Sequence, residues 1–228
     1  MFDSGISAKA LIAELQSEVD VALPITNSTY VTWLNSLQWL LYSAIIKEQN
    51  DLIITEPQED VIQLANLDVS DNEAPIRFED IYAVYADTTQ LIKTSITSGF
   101  VFPDCFYKKG DNLAVKMQKT PNFIKLIYHI KPKLIKVNEN DEIQDGNVMI
   151  PIEFIELVKS KLRGEAYSLE NEYGSASNWL NNYNILLENF KQWLSDKAQQ
   201  FSLERLYCFS ACGNGTCPNC NSFCFFAI

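Results

Sequence analysis

Five of the six cysteines in this 228-residue chain fall between residues 201 and 228, in FSLERLYCFSACGNGTCPNCNSFCFFAI. They are Cys208, Cys212, Cys217, Cys220 and Cys224, spaced C-x3-C-x4-C-x2-C-x3-C. Thiolates at such density invite zinc, which takes four sulfur or nitrogen ligands in a tetrahedron. Cys217-Pro218-Asn219-Cys220 has the spacing of half a site, and Cys208 and Cys212 would have to supply the rest. Those two are not at knuckle spacing, and the four residues before Cys217 leave little chain to fold around a metal. Zinc is therefore the one cofactor to test, and none is expected. Disulfides formed outside the cell are a second reading, and an odd count would leave one thiol free or paired between subunits. Packing is the third.

Other reactive residues are scattered. The single histidine, His129, falls in an expected strand, and nothing in the sequence places Cys105 beside it. No nucleophile elbow, phosphate-binding loop or dinucleotide fingerprint occurs. Glu165, Glu170 and Glu172 are not spaced to build a metal site on one helix, and a solvated face is the simpler reading. The expectation is a protein without enzymatic activity. A net charge of −11 argues against a grip on nucleic acid, because phosphate neutralisation needs clustered cations. Lys108–Lys109 and the lysines of residues 131–136 read as too sparse for that.

The elements that would position these residues follow from periodicity. Hydrophobic content of 47%, with thirteen phenylalanines, ten tyrosines and four tryptophans, predicts a folded chain. No run reaches the roughly 18 apolar residues of a membrane span. The N-terminus lacks a basic start and an apolar core, so retention in a cytoplasm is expected. Ala8, Leu11, Ile12, Leu15 and Val19 predict a helix over 6–21. Tyr30, Leu34, Leu37, Leu41 and Ala44 predict a second over 28–49, capped by Asn27 or Ser28, with Trp33 and Trp39 widening its apolar surface. The period then drops towards two. Strands are expected at 81–86, 90–94, 100–107, 113–117 and 123–130, with a turn at Lys109-Gly110-Asp111-Asn112.

Residues 151–200 return to a helical period. Ile155, Val158, Leu162, Ala166 and Leu169 share one face. Ala176, Trp179, Tyr183, Leu186, Phe190 and Trp193 recur at spacings of three and four. Gly174 is expected to end the first of these helices and Ser175 to cap the second. The fold class is α+β: a bundle of about four helices, an inserted small antiparallel β module and an extended Cys-rich C-terminal tail. The divisions are N-terminal helices at 1–50, the β-rich insertion at 51–147, the C-terminal hairpin at 148–200 and a Cys/Phe-rich docking tail at 201–228.

Three segments, KLRGEAYSLEN with ASNWLNNYNILLENFKQWL, FEDIYAVYADTTQLIKTS, and FIKLIYHIKPKLI with MIPIEFIELV, resemble the head–tail adaptor proteins of tailed bacteriophages. The positions that carry the resemblance are Arg163, Gly164, Glu165, Tyr167, Trp179, Tyr183 and Asn184. It implies a structural protein of the virion neck, assembled in the host bacterial cytoplasm. It implies a homo-oligomeric ring of about twelve copies. The ring would bind the portal protein on one side and a downstream connector, stopper or tail protein on the other. Double-stranded DNA would pass through its lumen without sequence-specific binding, and no membrane is involved.

On that basis Arg163, Gly164 and Trp193 are expected at a portal or subunit interface, and the polar faces bearing Lys159, Asn181 and Glu188 at contacts between neighbours. Gly164, mid-helix, is expected to allow close approach of a neighbouring helix. The tail would dock through Phe201, Leu206, Phe209, Phe223, Phe225, Phe226 and Ile228, whose apolar surface is costly to leave in water. Two alternatives stand beside this: a zinc-stabilised interaction module using the tail, and a virion surface protein binding host carbohydrate. The mark of the latter would be exposed Tyr82, Tyr85, Phe102 and Tyr107.

Overall fold

A computed structural model describes residues 4–20, 24–55, 60–95, 103–144 and 146–211, with side chains through residue 199. Helix α1, Ala8–Glu18, starts where the Ser7 hydroxyl accepts the Ala10 N–H. Its stripe of Ala8, Leu11, Ile12 and Leu15 is buried as expected. It ends before residue 21 because β-branched Val19 is already extended.

Helix α2, Asn27–Ala44, is capped by Thr26 rather than Asn27 or Ser28. Its exposed first amides find a second acceptor far along the chain. Both Asp141 carboxylate oxygens accept bonds, from Asn27 N at 2.8 Å and Ser28 N at 2.8 Å, where the helix dipole favours negative charge. The helix stops at Ala44, short of the expected 49. Ile45 and Ile46 follow, and Lys47 takes φ 43 to turn the chain into a strand.

That strand, β1, Gln49–Thr55, was not expected. It pairs along its length with β8, Phe123–His129. With β3, Ile81–Ala86, and β4, Thr89–Gln90, they form one sheet in the order β1-β8-β3-β4. A second sheet runs β2-β7-β6-β5, from β2, Val61–Ile62, β7, Asn112–Lys116, β6, Cys105–Lys109, and β5, Ile92–Lys93. The expected strand at 90–94 is thus split. Leu91 N bonds Val84 O in the first sheet, while Ile92 N and Thr94 N bond Asp104 O and Phe106 O in the second. Chain crossing between sheets makes β5 parallel to β6, so the module is mixed rather than wholly antiparallel. The turn between β6 and β7 stands as expected, a two-residue loop with Gly110 at φ 63.

A short 3-10 turn, Ile152–Phe154, follows Pro151 and leads into α3, Ile155–Leu169. Helix α4, Tyr173–Ala211, runs back along it. Gly174 does not end α3 and Ser175 does not cap α4; both lie in the first turn of α4. The stop is Asn171, at φ 62. Glu172 N reaches Tyr167 O at 3.0 Å and Asn171 N reaches Ser168 O at 3.2 Å, closing the α3 terminus with an asparagine in the left-handed position. Helices α1 and α2 pack on α3. One buried cluster joins Leu11, Leu34 and Leu157 of the helices to Val84, Phe106 and Leu126 of the sheets, so the β module shares the bundle's core.

Candidate functional site

The hairpin of α3 and α4 gathers most of the residues expected at an interface. Its seam holds Val158, Leu162 and Ala166 from α3, with Ala176, Tyr183 and Phe190 from α4, all buried. Gly164 lies inside this seam. A Cβ there would meet Leu180 Cδ2 at 2.7 Å and Leu180 Cγ at 2.8 Å. The close approach expected of this glycine is real, but the neighbour is α4 of the same chain. Trp193 closes the end of the seam with Phe154, at 5.4 Å between ring centroids, and Phe190, at 6.1 Å.

Arg163 and Lys159 also turn inward. Lys159, 9% exposed, pairs with Glu14 of α1 and with Glu156 at 3.3 Å. Arg163 pairs with Glu18 of α1 and with Glu156 at 3.2 Å, and its guanidinium stacks 4.6 Å from the Trp179 ring. Burial alone would lower both cations' pKa values. Bonds to Glu14 and Glu156 for Lys159, and to Glu18 and Glu156 for Arg163, outweigh it and raise them. The Arg163 bond in turn holds the Glu18 carboxyl below its usual value. Two cations thus clasp α1 to α3. Sequence reading missed this because Glu14 and Glu18 lie 145 positions from Lys159 and Arg163. Asn181 and Glu188 remain on the exposed face of α4, where Glu188 pairs with Lys191 at 2.6 Å.

No protein-family model matches this chain, and no curated protein does.

The backbone at Phe201, Leu206, Cys208 and Phe209 is helical, the continuation of α4 past the boundary expected at 200. The zinc candidates Cys212, Cys217 and Cys220 lie outside the described residues, as do Cys224, Phe223, Phe225, Phe226 and Ile228. Among the described residues no group of three His, Cys, Asp or Glu side chains could hold a metal ion. His129 and Cys105 sit on different sheets. His129 meets Tyr82 edge-on at 5.8 Å, and burial pushes the Cys105 thiol up. Of the aromatic patch, Tyr82 is 63% exposed. Tyr85 and Tyr107 are half-buried, and Phe102 lies outside the described residues. Among the described residues no helix is long and apolar enough to cross a membrane.

A buried polar site joins the sheet to the loop before β3. Glu73, 3% exposed, accepts a bond from Tyr128 Oη at 2.8 Å, and Asn50 Nδ2 donates to the same hydroxyl at 3.2 Å. Burial, then the Glu73 bond, push the tyrosine pKa up, so this hydroxyl keeps its proton. The arrangement locks β8 to the loop rather than offering a reactive group.

Proposed function

We propose that this chain is a head–tail adaptor, a structural protein of the virion neck that forms a ring on the portal and passes DNA through its lumen. The observation that carries the reading is the inequality of the hairpin helices. α3 has 15 residues and α4 has 39. At 1.5 Å per residue α4 is about 58 Å long, more than twice its partner. Trp193 meets Phe154 near the α3 start, and residues 195–199 are all exposed. The described helix thus continues past the seam that Trp193 closes, which suits a docking arm. The sequence resemblance supports the same reading, and the inward-turned Arg163, Gly164 and Trp193 give the arm a stiff base.

The test is a truncated chain lacking residues 206–228, mixed with portal rings. The truncated protein is expected to keep its helical content and melting behaviour while losing portal attachment. Unchanged portal affinity would refute the arm as anchor. Exposed Tyr82 favours the second reading, a carbohydrate-binding surface, because an open aromatic ring is what a sugar face stacks on. Retention on a glycan array that Tyr82→Ala abolishes would favour it over the adaptor.

A further inference from the structure

Two exposed surfaces of this chain are complementary in both charge and apolar character. The first forms where α2 meets the segment after β8. Arg77 and Lys131, distant in sequence, both lie over one tryptophan, with the Arg77 guanidinium 5.3 Å and the Lys131 Nζ 5.9 Å from the Trp39 ring centre. Asn35 of α2 bonds both N and O of Ile135, fixing the segment against the helix. Lys133 and Lys136 are thereby held exposed beside Leu134, which is 50% exposed. Neither Lys133 nor Lys136 has an ion-pair partner among the described residues. The nearby carboxylates are Asp71, which shares a groove of about 510 Å³ with these two lysines, the buried Glu73, which bridges to Pro132, and Asp80 and Glu79, beside Arg77 and Lys131.

The second surface is the tip of the α3–α4 hairpin. Leu169 is 57% and Tyr173 68% exposed, and between them stand Glu170 and Glu172, neither of them ion-paired among the described residues. Apolar side chains flanked by carboxylates match apolar side chains flanked by amines. Trp, Tyr and Arg are also the residues that dominate binding energy when an interface buries them.

We infer that the hairpin tip of one copy docks on the Trp39 patch of the next. The two surfaces are different parts of the chain, so the contact is head-to-tail, the kind that closes into a ring or runs on as a filament. The inference rests on the adaptor reading only in requiring self-association. Exposed lysines without ion-pair partners, in a strongly acidic chain, would also draw copies together against their mutual repulsion.

The experiment is sedimentation of the full chain over a concentration series at low salt. Wild type is expected to associate, and less so as salt rises. Lys133→Glu and Glu170→Lys are each expected to weaken association about tenfold, and the two mixed together to recover it. Lys133 is exposed and Glu170 half-buried, and Glu170 closes the C-terminal end of α3, where a cation suits the helix dipole. Unchanged thermal melts would show both variants folded. A monomeric wild type, single variants that sediment like wild type, or no recovery on mixing overturns the contact. So does a Lys133→Glu protein whose only loss is retention of duplex DNA. Variants that still join portal rings would leave the adaptor standing and this contact refuted. Charge-exchange recovery in a chain that joins no portal would do the reverse.

Discussion

Gly164 carries the sharpest consequence of a single residue. Its Cα hydrogen faces Leu180, and a methyl group there would sit inside contact distance of that side chain. Glycine costs a helix about 1 kcal/mol relative to alanine, so the position trades propensity for close packing. Gly164→Leu is expected to destabilise the isolated chain by about 1–3 kcal/mol, the usual range for overpacking, read as a lower urea midpoint. A ring defect with unchanged chain stability would contradict the intramolecular role. At Glu73, the Tyr128 hydroxyl is a donor to a carboxylate that is almost fully buried. Tyr128→Phe leaves that carboxylate short of a bond and is expected to cost about 1–3 kcal/mol. Phe at 128 combined with Gln at 73 should recover part of the loss in a double-mutant cycle, because the amide carries no charge to strand.

At the scale of elements, the clasp between α1 and α3 should respond to pH at both ends. Glu18 titrates lower in the folded chain than unfolded. Its contribution is therefore present above the ordinary carboxylate range and lost as pH falls through the depressed folded value. Lys159 and Arg163 titrate higher when folded. Their contribution is present below their unfolded values and fades only as pH rises through the raised ones, at strongly alkaline pH. Melting temperature is thus expected to fall in acid with α1 loosening, and Glu18→Gln should flatten part of that acid limb. An acid limb identical to wild type would show that the Arg163 pair contributes nothing to it. Glu18 is solvent-facing enough that the effect is screened by salt.

Elements were legible in unequal measure. The stripes of α1 and α2 came directly from apolar spacing, and so did the strand expected at 123–130, whose Ile124, Leu126, Tyr128 and Ile130 are buried. β1 was missed because QNDLIIT follows a strong helical run without a Gly or Pro signal, and its strand character comes from pairing with β8. The α3 stop was misplaced because Gly174 outranks Asn171 in propensity, while the hydrogen bonds available to Asn171 decided the turn. At the hairpin, periodicity showed that Arg163 and Lys159 flank the seam, but not which polar face another helix would cover.

For the whole molecule, removal of residues 206–228 is the test of the arm, and the charge exchange between Lys133 and Glu170 is the test of the ring contact. Sequence by itself determined the class: two helical stretches around a strand-rich middle, with the apolar faces that must be buried. Those are local properties, fixed by spacing of three and four or of two along the chain. Tertiary structure alone decided that β5 and β6 run parallel, that Asp141 caps α2, and that Lys159 and Arg163 bind α1. It also placed Arg77 and Lys131 on one tryptophan. Each of these joins groups far apart in sequence, and a charge or an amide carries no local mark of the distant partner that folding brings to it.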